Sequence, residues 1–310
     1  MQVERSRLAR VRSLELTPAS FVPVAIAAAA SLYVIVVSGA VVRLTASGLG
    51  CESWPGCEAG SFFPESDAHA FVEFGNRVVA ILPLTLTLAA WVAAARTDGL
   101  PRWVTWVAAA TFLGTLAQAP LGLVTILSDL DPLLVMTHFL LALLVLGGAV
   151  IVAIEGARVA HGGVEPLVPP PLRRAGLVLA VACLALVVSG TFATAAGPHS
   201  GGADIDRLGD LGDSVWIHVR ATAVFGVLFA ALLVWLWQRR QQAPGLFLVA
   251  LGVLGLLLVQ MAVGEIQWRT RLPWGVVLLH VALATAIWAG TVALALLLYR
   301  PLAVLERRRT

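Results

Sequence analysis

Four positions in this chain share a register that suits them to hold something between helices. His138 and His280 lie 142 residues apart, and the same shift carries Asn76 onto His218. Each falls in an apolar run, where an ionisable or amide side chain is costly and marks a functional candidate. In a helical bundle, imidazoles from two helices face one another across the core, where cofactors sit. Iron porphyrin takes two axial nitrogens in that arrangement. Zinc wants three or four ligands, and the carboxylates and thiols here are not spaced to complete them. The pair His218 and His280 therefore reads as a bis-histidine haem site, and a histidine bonded only to a neighbouring helix is the plainer alternative.

The counterpart pair, Asn76 and His138, is not a copy. Glu73 precedes Asn76 by three residues, so both lie on one helix face; the matching position in the second pair is Val215. One histidine, an opposed amide and a nearby carboxylate suit a reacting ligand better than a fixed cofactor. A carboxylate in an apolar setting shuttles protons or stabilises a developing cation; the bland reading is a snorkelling Glu73 paired with Arg77. His69, four residues before Glu73, joins that face if the helix starts early. Gln118 and Gln260, also related by the shift, read as ties between helices. Arg220, Arg269 and Arg271 are candidates to pair with haem propionates, or else ordinary loop arginines. Cys51 and Cys57, in CESWPGC, are either a disulfide on an oxidising face or two free thiols. Cys183 reads as core.

The elements that must position these residues are membrane helices. Of the 310 residues 59% are hydrophobic and 13% charged, against roughly 25% charged in soluble domains, and the mean hydropathy is +0.89. Eight apolar runs are long enough to span a bilayer: 20–42, 71–95, 103–126, 133–155, 175–195, 214–237, 244–264 and 274–298. All 21 basic residues are arginine. They are scattered at segment ends and form no stripe, which excludes nucleic acid as a partner. Arg5, Arg7, Arg10, Arg12, Arg96, Arg102, Arg158, Arg173, Arg174, Arg239, Arg240, Arg300, Arg307, Arg308 and Arg309 fall on one side, which the positive-inside rule makes cytoplasmic. Asp129, Asp131, Asp204, Asp206, Asp210 and Asp213 fall on the other. The first apolar run is too long for a cleaved signal and reads as a retained helix.

LAQAPLG at 116–122 recurs as LVQMAVG at 258–264, and VVSG at 36–39 recurs as VVSG at 187–190. The expectation is an all-α integral membrane protein with two tandem four-helix bundles related by a parallel pseudo-repeat, divided at 1–160 and 161–310.

The stretch VVRLTASGLGCESWPGC, the VEFGNR segment, and His138, His218 and His280 together resemble the haem A synthase family. The resemblance covers nearly the whole chain, and the RLTASGLGCESWPGC stretch is its most specific part. It implies an enzyme that oxidises a methyl group of haem O to a formyl group, giving haem A for terminal oxidases, by two hydroxylations and loss of water. It also implies haem b between His218 and His280, substrate haem in the first half, an essential Glu73, and the Cys51–Cys57 pair nearby. Haem O synthase, an electron donor and oxidase assembly factors are the implied partners, and the bacterial cell membrane the implied location. Asn76 departs from the family, which often has histidine there; the implication is that His138 ligates substrate iron while Asn76 faces an open position. A b-type cytochrome confined to electron transfer is the rival, and would be expected to carry two complete histidine pairs at two depths.

Overall fold

The computed structural model describes residues 16–65, 67–199, 201–202 and 205–306. Arg5, Arg7, Arg10, Arg12, Arg307, Arg308, Arg309 and Asp204, used above for orientation, lie outside the described residues. Eight long helices follow one another: Pro18–Leu44 (α1), Ala68–Arg96 (α2), Arg102–Leu127 (α3), Pro132–His161 (α4), Pro170–Ala196 (α5), Leu211–Gln238 (α6), Pro244–Arg269 (α7) and Trp274–Tyr299 (α8), with a short α9 at Ala303–Glu306. All eight are apolar and long enough to cross a membrane, so the chain is a multi-pass membrane protein.

The helices outrun the apolar runs because polar residues start them. Asp67, Asp131 and Asp210 each accept a backbone N–H from the first turn of α2, α4 and α6, satisfying donors that the helix cannot. α4 passes Glu155 and Arg158 before ending at Gly162, whose φ of 86° suits a residue without Cβ. The outward faces are apolar: Trp106, Leu127 and Val227 are strongly exposed, as lipid-facing residues are.

Packing repeats the pattern of the sequence. In the first half α1 packs on α2 and α4, and α3 on α2 and α4; in the second, α5 packs on α6 and α8, and α7 on α6 and α8. Between halves α4 meets α8, while α1 meets α8 and α5 meets α4. Those last two contacts exchange when the halves exchange, which is a pseudo-twofold with α4 and α8 beside the axis. α8 is the most buried of the eight.

Polar ties lock the seam. The Trp288 indole donates to the Leu143 carbonyl at 2.7 Å, and the Tyr33 hydroxyl to the Ala282 carbonyl at 3.2 Å. At the end of the bundle where α1 and α5 finish, Arg43 donates to the Thr194 carbonyl at 2.7 Å. At the opposite end the fully buried Glu155 pairs with Arg300. Glu306 of α9 caps α7, accepting from Gly245 and Leu246 at 3.0 and 3.1 Å. Burial nevertheless holds its carboxyl above the usual range.

Candidate functional site

The second half brings its two histidines together. Asp210 starts α6 so that His218 falls two turns in, and α8 starts at Trp274 so that His280 falls at nearly the same depth. Their ring centroids are 6.4 Å apart. Two imidazoles on one metal, each with a metal–nitrogen bond of about 2.0 Å, place their centroids roughly 6 Å apart. The spacing fits a shared iron.

The tautomer fits as well. Ser189 donates its hydroxyl proton to the Leu186 carbonyl at 2.7 Å. Its oxygen lies 3.0 Å from His218 Nδ1 and, with the proton spent, must accept from it. That puts the His218 proton on Nδ1 and leaves Nε2 with a lone pair for a metal. His280 Nδ1 is buried without a partner. Its ring lies against Gly264 of α7, where a Cβ would come within 3.3 Å of Cε1. Gly190 does the same for His218, at 3.0 Å. Among the described residues no group of three or more His, Cys, Asp or Glu is placed to hold a metal ion, so two histidines are the donor set available.

The first half repeats half of this frame. Gly122 of α3 lies 3.4 Å from His138 Cε1, measured to the Cβ it lacks, and His138 Nδ1 is buried without a partner. Gln118 Nε2 donates to the His138 carbonyl at 3.2 Å, as Gln260 Nε2 does to the His280 carbonyl at 3.1 Å. The two glutamines tie helices together, and each has its Oε1 buried and unpartnered. Asn76, which the repeat places at the position of His218, has its Oδ1 buried with no hydrogen-bond partner. The half thus presents one imidazole and an unsatisfied amide.

Glu73 makes the pair with Arg77 that the sequence offered, within a loop structure that it did not foretell. Helix α2 starts at Ala68, so His69 lies in its first turn; His69 Nδ1 meets the Ser47 hydroxyl at 2.9 Å. Glu73 is 4% exposed and does not snorkel. One carboxylate oxygen accepts the Cys51 backbone N–H at 2.9 Å and the other pairs with Arg77. Arg77 also donates to the carbonyls of Ser53 and Gly56. Cys51 and Cys57 are joined in a disulfide that packs on Ala70 and Phe74. Gly50 runs against the backbone of His69 so closely that a Cβ would lie 2.5 Å from its carbonyl carbon. The disulfide loop is therefore strapped to the first turns of α2, directly beside the face that carries Asn76.

The arginines at the histidine end of the bundle divide into two groups. Arg43, Arg77 and Arg207 are committed to loop or helix carbonyls. Arg220 stacks on Trp216, and Arg269 pairs with Glu265 on an exposed face. Arg271 follows α7 with a φ of 62°. These last three are the ones the sequence singled out for propionates, and all three are exposed.

Ser189, Gly122 and Gly264 carry roles that the sequence reading missed. Their signal was present: the glycines close the repeated LAQAPLG and LVQMAVG, and Ser189 sits in the repeated VVSG.

Residues 23–198 match the COX15-CtaA family, described as cytochrome oxidase assembly protein. A haem A synthase of Symbiobacterium thermophilum is 31% identical over 282 residues, which is 86% of this chain and 91% of that protein. A haem A synthase of Bacillus pumilus is 28% identical over 144 residues, covering 44% of this chain and 46% of its own. One of Shewanella oneidensis is 31% identical over 123 residues, covering 34% and 36%. With a family match across more than half its residues and an alignment running nearly end to end, the chain belongs to the haem A synthase family.

Proposed function

We propose that this membrane protein is a haem A synthase of the bacterial cell membrane with both termini cytoplasmic, converting haem O to haem A for terminal oxidases. The reaction is a four-electron oxidation of one ring methyl to a formyl group, through two hydroxylations of the same carbon and loss of water, with the four electrons passing to dioxygen or to an external electron acceptor. Haem b is the resident cofactor of the second half, residues 161–310, and supplies one-electron chemistry when bound. His218 and His280 hold it, with Ser189 fixing the His218 tautomer. Arg220, Arg269 and Arg271 pair with propionates at the outer face, exchanging Trp216 and Glu265 for carboxylates. The first half, residues 1–160, takes the substrate. His138 binds its iron, and Asn76 orients a small polar ligand on the opposite side. Glu73 keeps a buried carboxylate one turn from Asn76, held in place by Arg77 and Cys51.

The observation that carries this reading is the 6.4 Å separation of His218 and His280, set in the same Gln–Gly–His frame that recurs around His138. The test is co-expression with a haem O synthase, followed by haem extraction. Wild type yields haem A with haem b retained. Glu73→Gln retains haem b and loses haem A, accumulating haem O or a partly oxidised form. A protein that purifies with haem b alone and never forms haem A would be an electron carrier.

A further inference from the structure

The second half shows what the first half is built without. Under the repeat, Ser38 corresponds to Ser189, Gly39 to Gly190, Val41 to Phe192 and Asn76 to His218. In the second half these positions close up: the His218 ring lies on Ser189 and against Gly190. In the first half a Cβ at Gly39 would meet nothing within 4 Å. Asn76 is shorter than histidine, and valine replaces phenylalanine at 41. A cleft of about 400 Å³ lies there, lined by Tyr33, Val34, Val37, Ser38, Val41 and Val72. Val72 is one helical turn before Asn76 on the same face of α2. The Tyr33 hydroxyl is spent on the Ala282 carbonyl, so Ser38 is the hydroxyl that the cleft offers.

We infer that this cleft admits a small neutral ligand to the open axial side of the first-half haem, with Ser38 and Asn76 as its hydrogen-bond partners. The inference rests on the one-histidine reading of the substrate site. Ser38 and Asn76 supply a hydroxyl and an amide, which both donate and accept. The valine walls disfavour a charged guest, which would lose its hydration without an ion partner. The fitting class is a neutral molecule with a lone pair, from the size of water up to the imidazole ring that the second half builds in covalently. Ser38 is then a positioning residue, acting through the ligand that it orients.

The test uses imidazole as the probe, titrated into the full-length protein carrying haem in both halves and followed by electron paramagnetic resonance. Haem held by His218 and His280 is already six-coordinate, so only the first-half signal can pass from high to low spin. Wild type is expected to saturate. Ser38→Ala should weaken imidazole about fivefold, equivalent to one neutral hydrogen bond of about 1 kcal/mol, while Ser38→Thr keeps the hydroxyl and the affinity. Val41→Phe, which copies the second half, should block imidazole without releasing haem. If Ser38→Ala and Val41→Phe both titrate like wild type, the ligand enters elsewhere and the inference falls, with the one-histidine reading intact. If first-half haem is low-spin before any imidazole is added, the one-histidine reading itself falls and takes the inference with it. Should Val41→Phe fail to fold, the Ser38→Ala titration decides alone.

Discussion

The two halves of this protein share a frame and differ in what closes it. Both present a glutamine that ties α3 to α4 or α7 to α8, and both lay an imidazole against a glycine one turn beyond that glutamine. The second half then completes the arrangement with Ser189 and His218, and its helix interiors carry no proline. The first half has Pro23, Pro83 and Pro120 inside α1, α2 and α3, each removing a helical hydrogen bond. It has an amide at position 76 and a disulfide loop strapped beside it. A resident cofactor needs a closed, rigid pair of ligands. A molecule that must enter, react and leave needs an open position and a wall that can be re-formed. Under the proposed function, one repeated scaffold serves both tasks, and the substitutions at a few positions, Asn76 for His218 among them, divide holding from turnover.

The difference can be broken most severely at the ligands. His218→Ala and His280→Ala should each abolish the low-spin haem b spectrum, because one axial nitrogen cannot hold six-coordinate iron. His138→Ala should leave that spectrum intact while abolishing haem A. Reduced-minus-oxidised difference spectra of the three purified variants check this, and equal loss in all three would erase the division of labour.

The difference can be sharpened by making the halves alike. Asn76→His should supply the missing nitrogen, converting bound haem O toward a six-coordinate low-spin form with tighter retention and altered turnover. Spectra of the haem O-loaded variant read the spin state directly. No change from wild type would mean that position 76 does not face the iron.

A smaller effect lies on the seam that both halves share. Glu155 is fully buried and paired with Arg300. Removing one member of a buried pair typically costs about 3–5 kcal/mol; Arg300 is one-third exposed here, so the lower end of that range is expected for Glu155→Ala. Thermal unfolding of the purified variant should show a lowered midpoint with the second-half haem spectrum unchanged below it.

Much of the fold was legible because a bilayer imposes a simple rule on sequence. Eight apolar runs became eight helices, and the repeat of Gln118 and His138 at Gln260 and His280 foretold the packing. The ends were less legible. α4 runs on to His161, beyond the apolar limit at residue 155, because an acid or arginine ends an apolar count without ending a helix. Similarly α5 begins at Pro170, ahead of Arg173 and Arg174. Contacts between helices were less legible still. Nothing local to Glu73 announces that its partner is the backbone of Cys51. Nothing in VVSG says that its serine sets the tautomer of a histidine 29 residues later. Such pairings depend on which faces meet, and helical periodicity reports only which faces are apolar.

The position of α8 has a consequence for biogenesis. Of the eight long helices it leaves the ribosome last, yet Tyr33 of α1 bonds to its Ala282 and Leu143 of α4 to its Trp288. The amino-terminal bundle therefore waits for the carboxyl-terminal helix before its inner wall is complete. The same helix carries His280, so an iron shared with His218 would draw α8 into place. Under the proposed function, loading of the second-half cofactor would then precede completion of the first-half wall.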